Sequence, residues 1–219
     1  MRTTEQLIDQ LAATVVPVVP LKPALLRAVG WLALSAAIVA GIVLSHGVRP
    51  DLAAQFARPV MAAEWLGAVL TGVLAAVATF QVSLPGRSRR WLLLPLPGLT
   101  LWLGALCLGC LADWFRHGPA AWAVGPSWSC VQAILTTSLP LGIALLVMVR
   151  HAGLVRPGAT ALVGGLAVAA LSAAGLSLYH HVDTALMVLI WHGGAVALVV
   201  CAAWGVSERL FAWIGPARA

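Results

Sequence analysis

The sequence predicts an all-α, polytopic membrane protein with six transmembrane helices, a short amphipathic helix before them and both termini in the cytoplasm. Three observations favour this class. Of the 219 residues, 61% are hydrophobic and 9% are charged, whereas soluble domains carry about 25% charged residues. Six apolar runs reach the length of about 20 residues that a helix needs to cross a bilayer. Finally, Lys and Arg are concentrated in alternate connections between these runs.

The predicted spans lie at 24–45, 62–84, 91–112, 129–149, 159–179 and 184–205. The chain therefore divides into a cytoplasmic segment at 1–23, a transmembrane bundle at 24–205 and a cytoplasmic tail at 206–219. Pro95 and Pro97 fall within the third span and predict a kink there. We expect Trp31, Trp102 and Trp191 to pack inside the bundle. Glu64 and Asp113 fall at span ends and are interpreted as solvated caps.

The placement of Lys and Arg predicts the orientation. An even number of spans puts both termini on one side, which holds ten of the 13 basic residues. Because cytoplasmic loops collect Lys and Arg, that side is predicted to be the cytoplasm. The net charge of +6 reflects this topology and does not indicate direct nucleic-acid binding, since no basic face with interleaved aromatic residues occurs outside the spans. The other side holds Arg49, Arg58 and Arg116.

The first residues predict an amphipathic helix. Its apolar face consists of Leu7, Ile8, Leu11, Ala12 and Val15, which recur at helical spacing. Its polar face consists of Glu5, Gln6, Asp9 and Gln10. Thr3 and Gln6 have the spacing of a capping box. After this helix, Pro17, Pro20 and Pro23 predict an extended linker to the first span.

The apolar face of this helix needs a surface to cover it, because a helix of about a dozen residues is marginal alone in water. A helix that lies on a membrane surface is usually basic on its polar face, whereas Glu5 and Asp9 make this one acidic. A protein partner is therefore favoured. The alternative is that the helix packs on the cytoplasmic loops of its own bundle.

Several stretches resemble one family, the membrane anti-sigma factors of the NrsF type (negative regulator of sigma F). They are "TEQLIDQLA" with its proline-rich linker, "VRPDL", "PSWSC", "VRPGATALVGGLAVAALSAAG", "LIWHGG" and "ERLFAW". The resemblance implies a bacterial inner-membrane protein that binds an extracytoplasmic-function (ECF) sigma factor through its N-terminal segment and releases it on an envelope signal. It also implies that Leu7, Ile8, Asp9 and Leu11 contact the sigma factor, and Val15, on the same apolar face, is predicted to contact it as well.

Thiols and imidazoles collect on the predicted outer side. Cys107 and Cys110 share a helix face, Cys130 begins the fourth span, and His180 and His181 precede the sixth. This donor set suits a zinc, cadmium or copper ion. The alternative is that the cysteines are inert small hydrophobic residues. Cys201 lies near the inner end of the sixth span and is excluded from this set.

The resemblance bears on these donors. The family usually has one cysteine at the position of Cys130 and a second just before the sixth span. This chain has His180 and His181 at the second position. The departure argues against a disulfide switch between the two positions and leaves metal binding open.

Two other function classes compete with the anti-sigma interpretation. A membrane thiol oxidoreductase is suggested by the CxxC at 107–110, but it needs a second thiol pair on the same side, where Cys130 is the remaining cysteine. A small metal-handling transporter usually leaves charges or broken helices at mid-membrane, whereas the charged residues here fall at span ends. No catalytic motif is present, so we expect no enzyme. The sequence does not indicate the oligomeric state.

Overall fold

The protein is described by a computed structural model that covers residues 3–13, 20–119, 128–150, 152, 156–180 and 194–214. Within these ranges the secondary structure is entirely helical, as the composition predicts. The α-helices are α1 (Thr4–Ala13), α2 (Ala24–His46), α3 (Leu52–Phe56), α4 (Pro59–Val82), α5 (Leu96–His117), α6 (Trp128–Val149), α7 (Pro157–Tyr179) and α8 (Gly194–Ile214), and a 3₁₀ helix spans Arg89–Leu93.

In the described ranges, five helical segments are long and apolar enough to cross a membrane: Ala24–His46, Pro59–Val82, Arg89–His117, Gln132–Val149 and Pro157–Tyr179. They match the first five predicted spans. The predicted sixth span at 184–205 is described only from Gly194, where α8 begins, and α8 continues beyond 205 to Ile214. Trp191 also lies outside the described residues. The short helix α3, between the first two spans, has no counterpart in the predicted elements.

The core is built around α4 and α7, which have the most extensive contacts in the bundle. Their small residues, including Ala75 and Ala167, are fully buried beside the larger side chains of Phe80 and Leu141. Trp31 on α2 is fully buried in the same cluster, and its Nε1 donates a hydrogen bond to the carbonyl of Leu141 at 3.3 Å. The indole therefore fills volume and has its polar atom satisfied. The predicted burial of Trp31 and of Trp102 is confirmed.

Helices α4 and α5 approach each other closely at two glycines. A Cβ added to Gly98 would lie 2.5 Å from the backbone nitrogen of Thr71, and one added to Gly67 would lie 2.6 Å from the backbone nitrogen of Trp102. Small residues of this kind let membrane helices pack backbone to backbone. The third span is interrupted at Pro95, between the 3₁₀ helix Arg89–Leu93 and α5. The interruption precedes α5 and does not lie inside it, because Pro97 is in the first turn of α5, where the missing N–H of proline breaks no helical hydrogen bond.

The described contacts define two ends of the bundle. At the near end, where α2 begins, Arg27 donates to the carbonyl of Met148 and Arg156 donates to that of Arg87 at 2.8 Å. The far end is where α2 and α7 finish, and there the backbone nitrogen of Arg49 donates to the carbonyl of Leu178 at 3.0 Å.

The last described helix returns to the near end. Gly158, in the first turn of α7, faces Trp204 of α8, and Gly165 faces Val200. The two helices are therefore antiparallel, and α8 ends at the same end of the bundle at which α2 begins. Residues 20–23, which have no regular secondary structure, lead into α2 at this end.

Candidate functional site

Helix α1 begins with the capping box that the sequence predicts. The backbone nitrogen of Gln6 donates to Oγ1 of Thr3 at 3.3 Å, and the backbone nitrogen of Thr3 donates to Oε1 of Gln6 at 3.1 Å. The two side chains thus satisfy two backbone donors that the start of a helix would otherwise leave unpaired. Glu5 lies in the first turn, where a negative charge interacts favourably with the helix dipole.

The apolar face of α1 is exposed. Leu7 is 47% accessible, Ile8 58% and Leu11 59%, and no residue of α1 is buried. Asp9 is exposed on the same helix. Three large aliphatic side chains at helical spacing therefore form an exposed face, which we call the α1 stripe (Leu7, Ile8 and Leu11). Val15, the fifth predicted contact residue, lies outside the described residues.

The predicted metal donors are only partly described. Cys107 is exposed and Cys110 is half-buried on α5, and His180 follows directly after α7 and is half-buried. Cys130 belongs to the first turn of α6, but its side chain and His181 lie outside the described residues. Within the described part of the chain, no three His, Cys, Asp or Glu residues converge as a metal centre does. Whether the whole set binds a metal stays a prediction.

A cavity at the far end, lined by both charged and apolar side chains, is a feature that the sequence does not predict. It has a volume of about 340 Å³ and lies among α4, α5, α7 and the connection that contains α3. Trp65, Ala68, Trp102, Ala174 and Leu176 supply apolar surface to it. His180 lines the cavity, whereas Cys107 and Cys110 do not. A volume of this size is typical of sites for small molecules.

All three far-end arginines line this cavity, and one of them is neutralised. Arg49 pairs with Asp51 in a bidentate ion pair, and Asp51 also accepts a hydrogen bond from Gln55 at 2.9 Å. These bonds, above all those from Arg49, hold the pKa of Asp51 well below its usual range. Arg58 donates to the Gln55 side chain at 3.1 Å. Arg116, at the end of α5, is exposed.

Two carboxyl groups also line the cavity. Glu64 lies in the second turn of α4 and is half-buried, and Asp113 lies in the last turns of α5 and is half-buried. The interpretation of Glu64 as a solvated cap is therefore wrong: it follows the start of α4 at Pro59 by more than one turn and faces the cavity. Among the described residues, Glu64 has no hydrogen-bond or ion-pair partner.

The sequence carried a weak signal for this cavity. Glu64 and Asp113 are acidic residues inside the ends of apolar runs, and ionisable residues in such runs often mark function. The sequence pattern does not show that α4 and α5 pack antiparallel. This packing brings the start of α4 beside the end of α5.

Comparison with known proteins gives one match. The model of a family described as NrsF, negative regulator of sigma F, matches residues 11–213. No curated protein and no solved structure matches the chain.

Proposed function

The chain belongs to the NrsF family of negative regulators of sigma F, and on this premise we propose that it is a membrane-bound anti-sigma factor that binds an ECF sigma factor through α1. The family itself implies negative regulation of a sigma factor, and so a regulator rather than an enzyme. The observation that carries the proposal is the α1 stripe. It is exposed and preformed by a capping box, and residues 20–23, which have no regular secondary structure, lead into the first helix of an apolar bundle.

The energetics fit a reversible complex. Each residue of the α1 stripe still exposes about half of its side chain, so docking would bury that half and contribute roughly 1 kcal/mol per residue. Ordering costs reduce this sum. The α1 stripe alone therefore supports weak binding, and a tight complex requires the partner to contact more of the chain. A modest affinity suits a regulator that must release its partner.

The family match begins at residue 11, so most of α1 lies before the matched residues. The assignment of Leu7, Ile8, Asp9, Leu11 and Val15 as sigma contacts therefore depends on the exposure of α1 and on the resemblance of its sequence. This assignment must therefore be tested with variants at these residues.

The decisive experiment is a pull-down of the cognate sigma factor by the full chain in dodecyl maltoside. Leu7→Glu or Leu11→Glu places a charge in the α1 stripe, and we expect at least a tenfold loss of binding. Gln10→Glu, which places the same charge on the polar face of the same helix, is the matched control and should bind normally. Gel filtration and circular dichroism report whether the bundle is intact. Unchanged binding by both stripe variants would refute the proposal.

We further propose a location in the bacterial inner membrane with six crossings and both termini in the cytoplasm. The antiparallel pairing of α7 with α8 supports a sixth crossing that includes α8 and the residues before Gly194. The charge distribution supports the orientation, because Arg49, Arg58 and Arg116 meet at the far end while the other basic residues are predicted at the near end. A C-terminal green fluorescent protein fusion should fluoresce, and a C-terminal alkaline phosphatase fusion should be inactive. The reverse pattern would refute the orientation.

We propose that the signal is a thiophilic metal or an oxidant. Cys130 senses it together with His180 or His181. Cys107 and Cys110 take part if all these donors share one metal ion. The chemistry of the donors supports zinc, cadmium or copper. Such ions bind thiolates, so affinity should fall in acid as the thiols are protonated. Measurement of metal that co-purifies with the full chain at neutral and at acidic pH tests this directly.

A further inference from the structure

We propose that four arginines at the near end bind the headgroup of a phospholipid that carries two phosphate groups, as cardiolipin does. We call them the near-end arginine cluster (Arg87, Arg89, Arg90 and Arg156). The proposal rests on the proposed membrane location of the bundle. It does not depend on whether α1 binds a sigma factor, so a failure of one proposal leaves the other standing.

The structure brings these arginines together from two connections that are distant in sequence. Arg87, Arg89 and Arg90 lie in the connection between α4 and α5 and are exposed. Arg156 directly precedes α7, and its Nη1 donates a hydrogen bond to the carbonyl oxygen of Arg87 at 2.8 Å. This contact holds the fourth guanidinium group beside the backbone that carries the other three. Four positive charges therefore share one area of the near end.

The connection between α4 and α5 is ordered by its own hydrogen bonds. Oγ of Ser88 accepts a hydrogen bond from the backbone nitrogen of Arg90 at 3.2 Å and caps the 3₁₀ helix Arg89–Leu93. Gly86 turns the chain with a φ of 77°, a backbone conformation that glycine adopts without strain. The 3₁₀ helix also packs against α4. Because this backbone is held in place before a ligand arrives, binding has a lower entropy cost.

The two connections carry no negative side chain. The sequence contains no Asp or Glu at 65–112 or at 114–182, so neither connection supplies a carboxylate to its arginines. Guanidinium groups that lie close together attract anions, and their planar fork matches phosphate oxygens well. Four of them suit two phosphates, with two guanidinium groups for each phosphate.

Outward-facing leucines beside the near-end arginine cluster favour a lipid over a soluble phosphate. Side chains three positions apart in a 3₁₀ helix lie above one another, about 6 Å apart along the axis. Arg90 and Leu93 have this spacing, and Leu93 is 59% exposed. Leu96, in the first turn of α5, is 45% exposed. A phosphate bound at Arg90 would therefore have its acyl chains beside these leucines, and basic pockets between membrane helices are a known setting for cardiolipin headgroups.

The test is native mass spectrometry of the full chain in dodecyl maltoside, titrated with one lipid at a time to obtain the dissociation constant of the first bound lipid. Cardiolipin should bind about tenfold more tightly than phosphatidylglycerol, which has one phosphate. The double variant Arg89→Gln with Arg90→Gln should weaken cardiolipin binding about tenfold. The matched control is the double variant Arg58→Gln with Arg116→Gln, which removes the same charge from exposed positions at the far end and should bind cardiolipin normally.

Three results would overturn the proposal: equal affinity for cardiolipin and phosphatidylglycerol, undiminished cardiolipin binding by the near-end double variant, and an equal loss in the far-end control. The comparison of the two lipids on the wild-type chain needs no variant, so it decides the matter even if a variant fails to fold. Inorganic pyrophosphate, which has two phosphates and no acyl chain, separates a lipid from a free diphosphate. It should not displace cardiolipin, and displacement at an equal concentration would overturn the assignment to a lipid.

Discussion

Arg49 and Asp51 form a bidentate ion pair, with Nε to Oδ1 at 2.7 Å and Nη2 to Oδ2 at 2.8 Å. The Arg49 side chain is 6% exposed and that of Asp51 41%. Nη1 of Arg49 also reaches the carbonyl of His180 at 3.5 Å. The pair therefore connects the segment between α2 and α3 to the end of α7, and Arg49 lines the cavity.

Asp51→Asn should lower the melting temperature of the full chain in dodecyl maltoside. The substitution keeps the shape of the side chain but leaves the buried guanidinium of Arg49 without a counter-charge, which is an unfavourable state. Asp9→Asn, on the exposed helix α1, is the control and should melt as wild type does. An Asp51→Asn protein as stable as wild type would show that the ion pair does not hold the far end together.

The same pair predicts a pH dependence. Because Arg49 and Gln55 lower the pKa of Asp51 in the folded protein, its contribution to stability is complete above the ordinary Asp pKa of about 3.9. It is lost as the pH falls below that value through the lower folded pKa. Thermal unfolding of wild type should therefore show a larger fall in melting temperature below about pH 4 than that of Asp51→Asn. Parallel curves for the two proteins would contradict this.

Gly98→Ala should destabilise the bundle, whereas Gly104→Ala should not. Both glycines lie on α5, but a Cβ at Gly98 meets the backbone of Thr71 at 2.5 Å, and one at Gly104 meets nothing within 4 Å. Backbone cannot move aside as a flexible side chain can, so overpacking at Gly98 should cost about 1–3 kcal/mol. The comparison is made by thermal or denaturant unfolding in detergent. Equal stability of the two variants would exclude close packing of α4 on α5.

The features of this fold that depend on local sequence were predictable, whereas the features that depend on how the helices pair were not. Long apolar runs specify α2, α4, α6 and α7 because a bilayer fixes their length. The capping box was predictable because it needs only Thr3 and Gln6 at the right spacing. Pro95 and Pro97 predicted an interruption of the third span, and the structure has one between the 3₁₀ helix and α5. The sequence did not predict that Pro97 would lie in a first turn, where proline is neutral, because the same residue is disruptive inside a helix.

The far-end cavity is a feature that depends on helix pairing. Glu64 and Asp113 are far apart in sequence, and each alone is indistinguishable from a solvated residue at the end of a span. They become a site only because α4 and α5 are antiparallel and in close contact, a property of tertiary packing. The exposure of the α1 stripe is likewise a property of tertiary packing, which the alternative of packing on the bundle's own loops had left open.

Thr3→Ala should weaken sigma binding if α1 binds as a helix. Loss of an N-terminal cap costs about 0.5–2 kcal/mol of helix stability. If the sigma factor selects the helical state, the dissociation constant should rise about 2- to 30-fold. Thr4→Ala, at the next position, removes a hydroxyl without breaking the capping box and is the matched control. An unchanged affinity for Thr3→Ala would show that the cap does not limit binding, so that the helical state is not the one selected.

Cys130→Ser should blunt the release of the sigma factor by cadmium or zinc. Serine keeps the size of the side chain but replaces a soft thiolate with a hydroxyl that these ions bind poorly. Cys201→Ser is the matched control, because Cys201 is an exposed thiol on α8, the helix that runs back to the near end. The readout is a sigma-dependent reporter with and without metal, together with metal bound by the purified proteins. If Cys130 is a ligand, both signals fall in Cys130→Ser and persist in Cys201→Ser. A normal response from Cys130→Ser would remove this thiol from the sensor and leave His180, His181 and the far-end cavity as the places to look for the input.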